Sequence, residues 1–314
     1  MCKILLVILI VLEQVGLFPQ IQKKLEDRVF VKEDLKIASS SNLQNESSGE
    51  TEIAILPYQL SQRKPLLFAQ SFLVLDLDSS SPLYEKNSRK IFAPASLTKI
   101  MTAILVLEKG NLQDTVTISQ EAVKTEGNSL NLQAGEKVKV IDLLYGLLLP
   151  SSNDAASALA EYLGKKSREN FVGQMNEKAK ELELLDTQFK NPSGLDAKGQ
   201  YSTAWDLAFL TKYALKFPLF LKIVKAPEYQ FSTLSGHQQK IFNTNLLLKY
   251  PQVYGVQAKI LGTKTGQTEK AGLCLISLAE KNGKKIITVT LGSPSRFWDT
   301  ASLINHTYQN FIWQ

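Results

Sequence analysis

The chain has little histidine and little cysteine, with two residues of each among 314. His237 and His306 do not stand in a metal-ligand spacing, so the sequence predicts no metal site and no cofactor. Cys2 and Cys274 give no readable disulfide framework, and Cys274, within an apolar stretch, is expected to be a small buried hydrophobic residue. Because histidine is so scarce, a nucleophilic serine in this chain needs another kind of base.

A strong excess of charge of one sign is also absent. The formal net charge is +6 and the pI is near 9.0, which favours a solvated, mildly basic surface over a role in holding anionic polymers. The chain has no Arg-rich or aromatic-interleaved patch, so the sequence predicts no nucleic-acid partner.

The apolar run near the N-terminus is short. Lys3 is followed by nine apolar residues, Ile4 to Leu12, whereas a membrane-spanning helix needs roughly 20. This pattern predicts an export signal peptide over residues 1–19. No small-x-small cleavage site is evident near Gly16, so an uncleaved membrane anchor over Ile4–Phe18 remains an alternative. The polar stretch that follows, rich in Ser and Asn, predicts a flexible linker over residues 20–66 and a main domain over residues 67–314.

Three short strings stand in an order that carries chemical meaning. They are Ser96-Leu97-Thr98-Lys99, Ser151-Ser152-Asn153 and Lys264-Thr265-Gly266. A Ser-x-x-Lys, a Ser-x-Asn and a Lys-Thr-Gly in this order supply the parts of a serine acyl-transfer site that works without histidine.

Further copies of these strings show that each one alone is weak evidence. The copies are Ser61–Lys64, Ser40–Asn42 and Ser129–Asn131. Lys64 precedes a proline, which resists helix formation, whereas Ser96 opens an uninterrupted helix-like stretch that reaches Gly110. We therefore predict that Ser96 begins a helix, that Lys99 lies on its face one turn later, and that the other copies are decoys.

Periodicity predicts the surrounding elements. Strands are expected at Ser71–Asp78, Leu83–Lys86, Ile260–Lys264, Leu273–Leu278 and Ile286–Leu291, which makes five antiparallel strands. Helices are expected at Ala155–Leu163, Asn170–Leu185, Thr203–Leu215 and Asp299–Phe311. Two further motifs are expected to have structural roles. Thr203 and Asp206 form a capping box at the start of a helix, and Asn191–Gly194 is a turn that Asp196 braces.

The chain resembles the low-molecular-weight penicillin-binding proteins, specifically the serine-type D-alanyl-D-alanine carboxypeptidases. The resemblance covers roughly Phe68 to the C-terminus and extends through the strings Pro94–Ala103, Asp142–Ala156, Asn191–Asp196, Tyr201–Ala204 and Gly262–Gly266. It departs from the family pattern at Ser152, where glycine is common, and at Gln267, where histidine is common. The resemblance implies an α/β (α+β) fold like that of β-lactamases and penicillin-binding proteins. That fold has a five-stranded antiparallel sheet flanked by helices and an inserted all-helical subdomain.

The resemblance also implies an activity. We expect an exported serine DD-carboxypeptidase that removes the terminal D-alanine from peptidoglycan stem pentapeptides through an acyl-serine intermediate. Its partners are then stem peptides, with β-lactam antibiotics as covalent inhibitors. Its location is extracytoplasmic, either secreted or anchored through the N-terminus to the outer face of the cytoplasmic membrane.

Each site residue then has an expected role. Ser96 is the nucleophile, and Lys99, with a pKa lowered by burial and by nearby Lys264, is its base. Ser151 passes the proton to the departing amine, and Asn153 binds the substrate backbone. The remaining substrate-binding residues belong to the third string and the position after it. Lys264 and Thr265 face the terminal carboxylate, and Gly266, without a side chain, allows close approach to the strand. The backbone N–H of Gln267 joins that of Ser96 in an oxyanion hole.

Alternative functions are a DD-endopeptidase that acts on cross-links, a β-lactamase, and a non-catalytic wall-binding protein. The predicted turn and its neighbours, Asn191–Asp196, contain no glutamate of the kind that a class A β-lactamase uses to hydrolyse its acyl-enzyme. The complete set of motif residues disfavours a non-catalytic role. The choice between carboxypeptidase and endopeptidase stays open, because the same residues serve both.

Overall fold

The computed structural model describes residues 56–61 and 65–313. The predicted signal peptide or anchor, most of the predicted linker, the Ser40–Asn42 string and Lys64 lie outside the described residues. The strands are β1 (Tyr58–Gln59), β2 (Ser71–Asp76), β3 (Pro82–Lys86), β4 (Thr115–Thr117), β5 (Lys137–Lys139), β6 (Glu228–Ser232), β7 (Gln238–Phe242), β8 (Lys259–Thr268), β9 (Gly272–Lys281), β10 (Lys284–Ser293) and β11 (Phe311–Ile312).

The helices lie between groups of these strands. They are α1 (Lys99–Lys109), α2 (Gln120–Val123), α3 (Val140–Leu148), α4 (Asn153–Leu163), α5 (Arg168–Glu181), α6 (Ala204–Ala214), α7 (Pro218–Lys225), α8 (Leu246–Lys249) and α9 (Arg296–Asn310), with 3₁₀ turns at Ala95–Thr98 and Pro251–Tyr254. The four predicted helices are present as α4, α5, α6 and α9, with ends shifted by a few residues. Helix α5 stops earlier than predicted, and Glu183 just beyond it takes a left-handed φ of 55°.

The central sheet has the order β3-β2-β10-β9-β8, and all neighbours are antiparallel. This confirms the five predicted antiparallel strands. The β9–β10 hairpin closes over Asn282 and Gly283, which have φ values of 52° and 78° and so match the turns that fit strand twist. Strand β8 lies at the edge of the sheet and runs four residues past the predicted end at Lys264.

The two faces of the sheet bury separate cores. Along β2, Leu73 and Leu75 join one apolar cluster, while Phe72 and Val74 join the other, because successive strand side chains point to opposite faces. The first cluster includes buried residues of α1, α3, α4 and α6, and the second includes those of α9. The sheet is therefore covered by helices on both faces.

The long insertion between β3 and β8 carries the helical layer. It also contains two small antiparallel sheets, β4 with β5 and β6 with β7, which the prediction of an all-helical insertion does not include. In these two small sheets each strand has few buried residues, such as Val138 and Ile241, so the strands are short and their sequence signal is weak.

Strand pairing occurs before the predicted domain boundary at residue 67. Tyr58 pairs with Ile312 and Gln59 with Phe311, so β1 joins the C-terminal strand β11. The backbone N–H of Leu60 also donates to the carbonyl of Asn310, at 2.8 Å. These pairings place the end of the predicted linker within the folded domain.

Candidate active site

Ser96 lies in a 3₁₀ turn, and the α-helix begins only at Lys99. The sequence predicted a helix start at Ser96, and the tighter turn serves the same purpose, because side chains three apart eclipse each other in a 3₁₀ turn. Ala95, just before the serine, has a left-handed φ of 47°, which is uncommon for a non-glycine residue. This conformation turns the chain sharply into the segment that carries Ser96 and Lys99.

Lys99 is completely buried, and its amine has three neighbours. Nζ lies 2.9 Å from Ser96 Oγ, 2.7 Å from Asn153 Oδ1 and 2.7 Å from the carbonyl oxygen of Ser193. The amide oxygen and the carbonyl can only accept, whereas the hydroxyl can donate or accept. A neutral amine fits this arrangement fully: its two N–H groups donate to the two oxygens, and its lone pair faces the Ser96 hydroxyl.

Burial lowers the pKa of Lys99 to about 7, because the protein interior disfavours the ammonium form. The Asp154 carboxylate acts in the opposite direction and is the smaller influence. The sequence led us to expect that Lys264 also lowers the pKa of Lys99. Burial, together with nearby Lys99 and Arg296, also holds the pKa of Lys264 well below its usual value, and the repulsion between the two amines is mutual.

The second string places Asn153 beside the lysine and Ser151 in the wall of the cleft. Ser151 has a left-handed φ of 68°, and Asn153 is the first residue of α4. Asn153 Nδ2 donates to the Glu126 carbonyl at 2.6 Å, which fixes the orientation of the amide and directs Oδ1 to Lys99.

Asp154 anchors the loop that borders Asn153. Its buried carboxylate accepts hydrogen bonds from Ser129 Oγ at 2.6 Å and from the backbone N–H groups of Leu130 and Leu132. The Ser129–Asn131 string thus belongs to a structural loop, as predicted for a decoy. Asp154 also contacts the backbone N–H of Ala155, at 2.7 Å, so one charge ties the loop to the start of the helix.

The third string lies on the edge strand β8. Lys264 is buried, and its Nζ donates to the carbonyl of Thr265 at 2.8 Å. Thr265 Oγ1 shares a 2.6 Å hydrogen bond with Thr244 Oγ1. A Cβ on Gly266 would come within 3.3 Å of the Ser96 backbone nitrogen, so glycine lets the strand approach the 3₁₀ turn closely. Gln267 follows with an exposed side chain.

Arg296 is a site residue that the sequence analysis missed. It is the first residue of α9, lines the cleft beside Ser96, and donates from Nη1 to the Gly266 carbonyl at 2.9 Å. Its Nε is buried and has no hydrogen-bond partner. Lys264, predicted to face the substrate carboxylate, does not line this cleft, so Arg296 is the cation that the cleft presents at this end.

The Asn191–Asp196 segment is a turn, as predicted, and it also belongs to the site. Asn191 Oδ1 accepts from the Gly194 backbone N–H at 2.7 Å, which shapes the turn that aims the Ser193 carbonyl at Lys99. Asp196 accepts from Thr268 Oγ1 at 2.8 Å and so braces the turn against the end of β8. A backbone carbonyl has no residue-type signature, which is why sequence patterns did not find this contact.

These segments enclose a cleft of about 430 Å³. Its walls come from the three motif segments, the 191–196 turn, the loop between α2 and β5, the residues before α8 and the start of α9. The lining residues are Ser96, Gly127, Asn128, Ser151, Asn153, Gly194, Leu195, Thr244, Thr265, Gly266, Gln267, Thr268, Glu269 and Arg296. Lys99 and Lys264 lie behind these walls. The structure therefore brings all the predicted site residues together around one cleft.

Two further observations concern the described part of the chain. Residues 56–61 and 65–313 contain no group of three or more His, Cys, Asp or Glu side chains arranged to hold a metal ion. Within the same ranges, no helix has the length and apolar character required to cross a membrane.

Comparison with known proteins identifies the relatives of this chain. A family model described as D-alanyl-D-alanine carboxypeptidase matches residues 59–295. The D-alanyl-D-alanine carboxypeptidase DacF of Bacillus subtilis is 39% identical over 231 residues, which are 72% of this chain and 57% of DacF. DacC of Escherichia coli, with the same activity in its name, is 35% identical over 262 residues, 79% of this chain and 63% of DacC. The chain thus spans about three fifths of the length of these two relatives.

Solved structures give the same result for the fold. The crystal structure of the Streptomyces K15 DD-transpeptidase is similar, with a TM-score of 0.73 and 33% sequence identity. The match covers 79% of this chain and 99% of that chain. The similarity confirms the predicted fold class.

Gly194→Ala tests the packing of the 191–196 turn against the nucleophile segment. Gly194 has φ +87°, and an added Cβ would lie 1.8 Å from the Ala95 carbonyl oxygen, so either the turn or the Ser96 segment must move. Gly236→Ala is the matched control, because Gly236 has φ +86° with nothing within 4 Å of the added Cβ.

In urea unfolding we expect Gly236→Ala to lower the free energy of unfolding by about 1 kcal/mol, from backbone strain alone. Gly194→Ala should lower it by about 2 kcal/mol more, from overpacking. Equal losses in the two variants would show that the close contact between Gly194 and Ala95 does not matter for stability.

Proposed function

The chain belongs to the D-alanyl-D-alanine carboxypeptidase family, and from this premise we propose that it is a serine DD-carboxypeptidase. It removes the terminal D-alanine from peptidoglycan stem peptides through an acyl-serine intermediate. The observation that supports this most is the 2.9 Å contact between the amine of fully buried Lys99 and the hydroxyl of Ser96. A serine hydroxyl becomes a good nucleophile when such a base takes its proton.

Acylation begins with proton transfer from Ser96 to the neutral amine of Lys99. The serine oxygen attacks the carbonyl of the penultimate D-alanine, and a tetrahedral oxyanion forms. The backbone N–H groups of Ser96 and Gln267 stabilise this charge, each contributing roughly 3 kcal/mol. Strand β8 suits this role because it is a sheet edge, where every second residue leaves its N–H and C=O without a strand partner.

Collapse of the intermediate breaks the peptide bond and releases the terminal D-alanine. The departing amine needs a proton, which returns from Lys99 by way of the Ser151 hydroxyl, since a hydroxyl can accept one proton and donate another. Ser151 lines the cleft next to Asn153. The Asn153 Nδ2 donates to the Glu126 carbonyl, and its Oδ1 accepts from Lys99. Water then cleaves the acyl-serine by the same steps in reverse.

The cleft selects a free C-terminus at the end where Thr265 and Arg296 lie. A guanidinium and a hydroxyl together present a charge and hydrogen-bond donors suited to a carboxylate. Lys264 lies buried behind this wall, where its Nζ donates to the Thr265 carbonyl, so its substrate-binding role is indirect. β-Lactams carry a carboxylate next to a reactive amide, so they acylate Ser96 and act as covalent inhibitors.

We further propose that the protein acts outside the cytoplasmic membrane, where stem peptides occur. The support is the short apolar run after Lys3, which has the length of a signal-peptide core. The same run is the candidate for any membrane association through the N-terminus.

Product analysis on defined substrates tests the activity. We expect the purified protein to release D-alanine from a stem pentapeptide and to leave a D-alanine cross-linked dimer intact. Ser96→Ala should abolish release, whereas Ser61→Ala, at the decoy string, should retain it. Splitting of the dimer would favour the endopeptidase alternative, and transfer of the acyl group to an added amine would favour a transpeptidase.

The pKa of Lys99 predicts the pH dependence of acylation. Because only the neutral amine accepts the Ser96 proton, the rate of reaction with a fluorescent penicillin should be maximal above pH 7. Below about pH 7 it should fall tenfold per pH unit, as Lys99 becomes an ammonium. Intrinsic fluorescence over the same range controls for unfolding. An acid limb centred near pH 4 to 5, the range of ordinary carboxyl groups, would mean that a carboxylate is the base instead.

The position of Arg296 in the cleft predicts that the enzyme prefers substrates with a free terminal carboxylate. Amidation of the terminal D-alanine should lower the wild-type kcat/KM about 30-fold, which corresponds to about 2 kcal/mol for a charge-assisted hydrogen bond. Arg296→Ala should lower kcat/KM for the acid by a similar factor and have little effect on the amide. Arg89→Ala is the control, since that exposed guanidinium stacks on Trp205. An unchanged acid-to-amide ratio in Arg296→Ala would show that a group other than Arg296 binds the carboxylate.

A further inference from the structure

The cleft beside Ser96 is electrically asymmetric along β8. At the Thr265 end it has the guanidinium of Arg296. At the other end Glu269 lines the cleft, immediately after the last residue of β8. From Thr265 to Glu269 the strand advances on the order of 13 Å, so the two ends contact different parts of a bound peptide.

Glu269 is the carboxylate that is available at its end. The neighbouring Asp196 is engaged, since its Oδ1 accepts from Thr268 Oγ1 at 2.8 Å and its Oδ2 from the Lys270 backbone N–H at 3.1 Å. Glu269 is exposed, and the ion pairs found in residues 56–61 and 65–313 do not include it. A cation entering this end of the cleft therefore meets a carboxylate without a competing partner.

The polarity of the cleft sets the direction of a bound peptide. With its C-terminal carboxylate at Arg296 and its reacting carbonyl beside Ser96, the peptide extends its amino side past Gln267 toward Glu269. It then runs opposite to β8, which is the orientation of an antiparallel strand added to a sheet edge. In this register the residue that precedes the D-alanyl-D-alanine pair lies near Glu269.

Resting on the proposed function, we propose that Glu269 is a specificity-determining residue. It favours substrates with a free ammonium group on the side chain of the residue that precedes the D-alanyl-D-alanine pair. Because the carboxylate is exposed, water and salt screen the attraction, and its effect is a modest preference instead of an absolute requirement.

Two tripeptides that differ by one acetyl group test the inference. One is Nα-acetyl-L-lysyl-D-alanyl-D-alanine with a free side-chain amine, and the other carries an acetyl group on that amine. We expect wild-type kcat/KM to be about three- to fivefold higher for the free amine at low ionic strength, with a smaller ratio at high salt. Glu269→Gln should bring the ratio close to one, and Glu269→Lys should invert it.

Glu177→Gln is the matched control, because it removes the same charge from an exposed site on α5 away from the cleft. It should keep the wild-type ratio. An unchanged ratio in Glu269→Gln, with both peptides still hydrolysed, would overturn the role of Glu269 and leave the carboxypeptidase function standing. Failure of the wild-type protein to hydrolyse either peptide would overturn the proposed function, and the inference with it.

Discussion

The burial of one lysine amine is the constraint to which the rest of the site conforms. Lys99 is kept from water, so every N–H that it carries needs an acceptor within the protein. Asn153 Oδ1 and the Ser193 carbonyl provide two acceptors, and Ser96 occupies the third direction. Three parts of the chain that are far apart in sequence must therefore meet at a single nitrogen. If any of them moves, the amine loses a hydrogen-bond partner or becomes exposed to water.

The supporting structure can be understood as a series of anchors for those three parts. Asp154 ties the loop at residues 129–132 to the helix that presents Asn153. Asn191 shapes the turn that presents the Ser193 carbonyl, and Asp196 joins that turn to the end of β8. Thr102, on the helix after Ser96, donates to the Pro192 carbonyl at 2.7 Å and so connects the nucleophile segment with the same turn. Most of these bonds are buried or partly buried, where an unpaired polar group is costly.

The sequence predicted the parts of this arrangement that depend on residue type. Ser96, Lys99, Ser151, Asn153 and the Lys264–Gly266 string were found because their chemistry is tied to side chains in a fixed order. The five strands were found because alternation and the Asn-Gly turn are strong local signals.

The parts that sequence analysis missed depend on three-dimensional placement. Arg296 is one arginine among 36 basic residues until the fold sets it beside Gly266. The Ser193 carbonyl belongs to no side-chain pattern, and the two small sheets bury too few residues to give a clear sequence signal. The orientation of Lys264 also follows from packing, since a lysine on an edge strand can point to either face.

Cys274 is a buried thiol on β9, the strand next to the edge strand β8. It pairs with Gly266 across β8 and β9, is fully buried, and burial raises the pKa of its thiol to about 11. Its side chain packs in the apolar cluster between the sheet and the helices, so a thiol reagent reaches it only when that packing opens, and the reaction then proceeds slowly because little thiolate is present. The labelling rate at Cys274 thus measures how often the core beside this strand opens spontaneously, and the measurement needs no substrate.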